Sequence, residues 1–137
     1  GQKKTPYIIH RTSIGCYERT LALMLEKFAG ALPIWIAPEQ VRLLPVTDRA
    51  AERCQELEKV MKAAGLRVST DLRSEKIGYK IREAQMEKIP FMLIIGDKEV
   101  EDGAVAPRSR ANGDLGSMSV EEFLSMIRTK ISEFAAD

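Results

Sequence analysis

Apolar positions along this chain change their period several times, and each change predicts a different element. From Glu18, residues Leu21, Leu25 and Phe28 recur at helical spacing, and Gly30 closes that element. The breaker-rich "IWIAP", with Pro33 and Pro38 around it, predicts a loop dividing a short leading unit, 1–35, from a larger one, 36–137. "QVRLLPV" then reads as a buried strand in which Pro45 suits only an end or an edge. Asp48 is the expected N-cap of a helix running to Ala64, with Cys54, Leu57 and Met61 on its core side and Gly65 as its stop. "LRVSTDL" is a second strand, and a helix from about Glu75 to Lys88 follows, ended by Pro90. "FMLIIG" is continuously apolar, as a central strand covered on both faces would be. "GDKEVEDGAV" carries turn chemistry leading into a last strand at "AVAPRSR". Ser119 and Glu122 form a capping box for a final helix through Phe134.

Strands joined by helices favour parallel pairing, and the short link between "FMLII" and "AVAPR" favours an antiparallel pair. The expected fold is therefore α/β: a mixed sheet of about five strands flanked by helices, behind a leading helical unit. The 137 residues suffice for one core, and 45% hydrophobic with 30% charged residues excludes wholesale disorder. No apolar run approaches the ~20 residues that cross a bilayer. The opening "GQKK" reads as a cut end, since no signal-like apolar run follows. A net charge of +1 gives no global attraction to nucleic acid, so only a local basic face could supply one. Two cysteines, Cys16 and Cys54, form neither a zinc knuckle nor a disulfide framework and suit a reducing, cytosolic setting.

Three places could carry chemistry. In "SEKIGYKIREAQMEKI", Ile77, Ile81 and Ala84 make a stripe for the sheet, leaving Tyr79, Arg82 and Met86 on the opposite side. A tyrosine and an arginine on one outward face offer flat surfaces to unpaired bases, with Arg73, Lys76 and Lys80 near the helix start to attract phosphate. The same pattern also describes a solvated amphipathic helix. In "GDKEVEDGAVAPRSR", Glu99 follows a strand end, and Arg108 and Arg110, two apart, point to one face. A carboxylate accepts from the N1 and N2 protons of guanine, and an arginine donates in a fork to O6 and N7; the pair equally suits a surface salt bridge. In the opening stretch, His10 ends the run "YII" and Arg19 follows a glycine turn, but one histidine makes no metal site. No complete active site is visible.

Taken in order, "PYIIHRTSIGCYER", "KFAGALPIWIAPEQV", "LRSEKIGYKIREAQ", "PFMLIIGDKEVEDGAVAPRSR" and "DLGSM" closely resemble the C-terminal part of the threonyl-tRNA synthetase family, within the class II aminoacyl-tRNA synthetases. The resemblance implies that the chain is a C-terminal piece of a longer ATP-dependent ligase. Residues 1–35 would then be the remnant of the catalytic core, a motif 3 strand entering a helix, with Arg19 against the adenine and phosphates of ATP. His10 matches the family's third zinc ligand, and its other two ligands would lie upstream. No cofactor is thus expected in this stretch, whereas the longer enzyme would use ATP-Mg and zinc. Residues 36–137 would form the anticodon-binding domain and dock the tRNA(Thr) anticodon stem-loop, reading G and U at the last two anticodon positions. By the same resemblance Glu99 and Arg108 contact bases, Arg82 supports the loop and Lys88 faces the phosphate backbone. Ser74 stands where the family pattern has Asn, and Tyr79 either stacks on a base or packs internally. Pro45 and Pro107 are local departures from the pattern. The longer enzyme is expected to be a cytoplasmic homodimer and this stretch a monomer with no membrane contact. The alternatives are the same domain of a prolyl, glycyl or histidyl enzyme, or a free-standing synthetase-like interaction module.

Overall fold

A computed structural model describes residues 1–135; Ala136 and Asp137, the end of the expected second unit, lie outside the described residues. The elements are α1 (Tyr17–Lys27), β1 (Val41–Pro45), α2 (Asp48–Ala63), β2 (Val68–Thr70), α3 (Ile77–Met86), β3 (Phe91–Ile95), α4 (Asp97–Asp102), β4 (Ala104–Ser109), β5 (Gly113–Asp114), β6 (Met118–Ser119) and α5 (Val120–Ser132). The sheet runs β2-β1-β3-β4-β5, with β6 pairing with β4. β1 is parallel to β2 and β3, and β4 is antiparallel to β3, so the sheet is mixed.

Period-2 alternation sorts the strands into two faces. Val41, Leu43, Phe91, Leu93, Ile95 and Val105 meet α2 through Ala50, Cys54, Leu57 and Met61, and α5 through Val120, Phe123 and Ile127. Leu44 and Met92 on the other face meet α3 through Ala84, Ile77 and Ile81, and Ile89 just beyond it. β3 is central and almost wholly buried because both faces are covered. Cys54 is fully buried, and burial pushes its thiol up to about 12, so it acts as a small apolar residue.

Both prolines that depart from the pattern fit the ladder. Pro45 ends β1 opposite Ile95. Pro107 pairs with Leu93, and its carbonyl accepts from Leu115 N at 3.0 Å. A residue's N–H and C=O point to the same side of an antiparallel strand, so the missing Pro107 donor faces away from β3 and costs no β3–β4 bond.

Five expectations are corrected. No strand precedes α1: residues 1–16 have no regular structure, because an extended segment without a neighbour has no ladder to join. Thr47, not Asp48, caps α2, its hydroxyl accepting from Ala50 N at 3.3 Å, and Asp48 is the first helical residue. The third helix is shorter than expected, and Lys88 beyond it takes a left-handed conformation at φ 60°. "GDKEVED" is a short helix rather than a turn, because Glu99 closes a cap on Gly96 N at 2.8 Å and Gly103, at φ 64°, ends it. The last helix ends at Ser132, with Phe134 left-handed beyond it and its ring edge-on to Trp35 at 5.4 Å.

Asp71 ties β2 to α3. Its carboxylate accepts from Arg73 Nε at 2.9 Å and Nη2 at 2.7 Å, Arg73 also pairs with Glu83, and the buried Lys80 donates to Asp71 O at 3.0 Å. The Arg73 hydrogen bonds hold the Asp71 carboxyl below its usual range. A folded-state value below the unfolded ~3.9 gives stability that is present above about pH 4 and lost as pH falls through the folded value. Asp71→Asn is therefore expected to lower the urea midpoint at pH 7, with the gap from wild type closing as pH falls below about 4. A gap that stays constant down to pH 2 would rule this linkage out.

Candidate nucleic-acid interface

α2 and α3 leave the carboxyl ends of the adjacent strands β1 and β2 toward opposite faces, and such divergence opens a crevice at a sheet edge. Here it forms a cavity of about 320 Å³ lined by Val46, Thr47, Ser74 and Lys76 among others. Ser74 is exposed at its rim. The basic cluster expected at this helix start is much reduced. Arg73 is spent on Asp71 and Glu83, Lys80 is buried on a backbone carbonyl, and Lys76 at the N-cap of α3 is left exposed.

A second concavity lies beyond α3 on the same face. Since α3 is the one helix packed on that face among the described residues, the outer strands are only partly covered. Ile94 and its register partner Ala106 are half-buried and make an apolar floor. Arg108, opposite Met92, borders that floor and lines a cavity of about 270 Å³ with Gln85, Ser109 and Arg110. Arg82 lies three residues before Gln85, on the same flank of α3. Tyr79, one turn earlier, is 52% exposed, so its ring is not packed internally. Glu99 stands just past the carboxyl end of β3, half-buried. The Glu99/Arg108 pair does not meet at one end of the sheet. Four strand positions separate Met92 from Gly96, roughly 13 Å at ~3.3 Å each, so Arg108 and the Gly96 amide that Glu99 caps stand toward opposite ends of β3.

Ion pairing distinguishes the arginines. Arg42, Arg49, Arg53 and Arg73 each pair with one or two carboxylates. Arg82 and Arg108, like Arg11, Arg19, Arg67 and Arg128, have no such pair among the described residues. Two fork-shaped cations beside a partly exposed apolar floor can donate to phosphate or to a base edge and stack against a base plane.

Lys88, exposed beyond α3, is joined to a backbone carbonyl and to Arg110. Its ammonium donates to Ala29 O behind α1, and its carbonyl accepts from Arg110 Nη1 at 2.7 Å, while Arg110 Nη2 donates to Leu32 O at 3.2 Å. Arg67 similarly donates to Ala37 O at 2.7 Å and Trp35 O at 3.1 Å, and the buried Gln40 donates to Ile34 O at 2.9 Å. Residues 29–37 are thus held to the sheet through their carbonyls. These roles were illegible beforehand, because a lysine or arginine aimed at a backbone carbonyl leaves no pattern of partner side chains.

The opening segment has no built site. His10 and Arg19 are exposed. No group of three or more His, Cys, Asp or Glu stands close enough to hold a metal among the described residues, so these residues do not by themselves fit the zinc implied by the resemblance. α1 buries none of its residues, and Tyr17, Leu21, Leu23 and Leu25 are exposed.

Residues 40–130 match the family model described as "Anticodon binding domain". The chain belongs to this family. The chain is 52% identical over 96% of its length to a threonine–tRNA ligase of Clostridium perfringens (strain 13 / Type A), and 47% identical over 97% to that of Clostridium novyi (strain NT). The chain spans about a fifth of the length of these relatives, 20% and 21%. Among solved structures it resembles the RNA-binding domain of threonyl-tRNA synthetase from Cryptosporidium parvum Iowa II, with a TM-score of 0.79 and 29% identity over 82% of this chain and 28% of that one. A prolyl-tRNA synthetase from Cryptosporidium parvum, complexed with L-proline and AMP, follows at a TM-score of 0.67 and 28% identity, covering 75% of this chain and 24% of that one. No helix among the described residues of the domain is long and apolar enough to cross a membrane.

Proposed function

We propose that this chain is the anticodon reader of a threonyl-tRNA synthetase, docking the anticodon loop of tRNA(Thr) so that the remainder of a longer protein can attach threonine. The observation that carries the reading is the pair Arg82 and Arg108, ion-paired with no carboxylate among the described residues, beside the Ile94–Ala106 floor, with Glu99 proposed for the floor's other end. An unstacked guanine on that floor would offer its N1 and N2 protons to Glu99 and its O6 and N7 to Arg108. Arg82 and the exposed Tyr79 would then support the loop from α3, and Ser74 and Lys76 would meet the neighbouring nucleotide at the crevice. Lys88 acts on the linker. The higher identity and the higher TM-score to threonyl enzymes support threonyl over prolyl.

Residues 1–35 are the end of a catalytic unit in this reading, and the exposed apolar side chains of α1 are the surface it would cover. ATP-Mg at Arg19 and zinc at His10 belong to that longer, cytoplasmic and homodimeric enzyme, whereas this stretch alone is a monomer. The test is binding of the chain to a stem-loop bearing GU and to one with those two bases changed, at one fixed salt concentration because phosphate contacts respond steeply to it. A preference for the GU loop is the expected result. Equal, salt-sensitive binding would reduce the surface to phosphate docking and overturn base reading.

A further inference from the structure

The proposed base contact Glu99 sits on an element that the core barely holds. α4 has six residues and none is buried; only Val100 packs partly against the main core. Its placement therefore depends on polar tethers. Glu99 Oε2 accepts from Gly96 N, a bond within α4's own cap. Arg49 reaches Glu101 at 3.4 Å, but both side chains are more than 60% exposed, and such a pair contributes little. The remaining tether crosses to another element: Thr47 Oγ1 donates to Asp97 Oδ1 at 2.9 Å. That hydroxyl also accepts from Ala50 N at 3.3 Å, so its orientation is already fixed by the start of α2. Alongside it Val46 N donates to Ile95 O at 2.9 Å, extending the β1–β3 pairing to the foot of the same loop.

We infer that Asp97 is a positioning residue for base reading: bound to Thr47, it fixes the first turn of α4 and with it the direction of the Glu99 carboxylate. Thr47 lines the crevice, so the same bond sets the two candidate subsites in a fixed relation. The inference rests on the proposed reading of Glu99. It assigns Asp97 no contact with RNA; a carboxylate near phosphates would by itself oppose binding.

That opposition makes the test specific. Asp97→Ala and Asp97→Asn both remove the charge, but only the asparagine keeps an oxygen that accepts from the Thr47 hydroxyl. Both variants are expected to bind a base-scrambled stem-loop at least as well as wild type does. Asp97→Ala should lose about five- to tenfold of the preference for GU, the weight of one oriented hydrogen bond, and Asp97→Asn should retain it. Equal discrimination by wild type and Asp97→Ala would overturn the inference and leave the Glu99 reading standing. A loss as large in Asp97→Asn would overturn it too, since charge rather than position would then be responsible. A wild type that does not discriminate at all would sink the functional reading, and the inference with it, before any variant was measured.

Discussion

Phe91→Ala is expected to remove a large part of the stability of the anticodon-binding domain, about 3–5 kcal/mol for truncation of a fully buried phenylalanine. Phe91 is 1% exposed on the central strand, and its ring meets Phe123 of α5 edge-on at 5.9 Å. The loss therefore combines transferred apolar area with a cavity between sheet and helix, at a position where β1 and β4 on either side prevent collapse. Against a total of roughly 5–15 kcal/mol, this decides whether the domain stays folded at 37 °C. The check is a urea titration in which the midpoint falls and the slope stays constant. Leu21→Ala on α1 gives the contrast: its side chain is 54% exposed, and a change within about 0.5 kcal/mol is expected. If the two substitutions cost the same, the division into a packed sheet domain and an uncovered leading helix is wrong.

The elements that pack were legible in the sequence because their signals and their burial have one cause. The i, i+3, i+7 positions Cys54, Leu57 and Met61 are apolar because α2 lies on the sheet, and "FMLII" is continuously apolar because helices cover both sides of β3. α4 escaped because its signal is chemical rather than periodic. "GDKEVED" reads as turn residues unless Glu99 is seen to close back on Gly96, and a six-residue helix carries too little pattern to outweigh Gly and Asp. The candidate site was legible by residue type and not by arrangement. Arg82, Arg108, Glu99 and Tyr79 are exposed or half-buried as a binding surface requires, but nothing local to the sequence separates Arg108 from Arg110. The fold separates them, since Arg110 reaches the carbonyls of Leu32 and Lys88. The partner of Lys88 was illegible for the same reason: Ala29 O lies 59 positions away.

Arg108→Ala should weaken binding of a GU stem-loop by about 1–3 kcal/mol, a factor between roughly 6 and 150, and should also flatten the preference over a loop with the guanine replaced. The side chain is half-buried on β4, and its neighbours Met92 and Asp114 are held by backbone pairing, so truncation leaves the strand in place. Because Arg108 ion-pairs with no carboxylate among the described residues, removing it strands no buried anion, and little stability should be lost. That separates it from Arg73→Ala, which releases Asp71 and Glu83 and should lower the unfolding midpoint as well. Arg108→Lys distinguishes two roles for the guanidinium. An ammonium keeps the charge and the salt dependence of a phosphate contact, but cannot donate in a fork to O6 and N7. If Arg108 reads a base, Lys restores overall affinity and not discrimination, and Glu99→Gln loses discrimination at the same guanine. If Lys restores both, Arg108 serves as a phosphate anchor, and base reading falls to the crevice around Ser74 and Lys76, where the same pair of loops, measured with Ser74→Ala, would locate it.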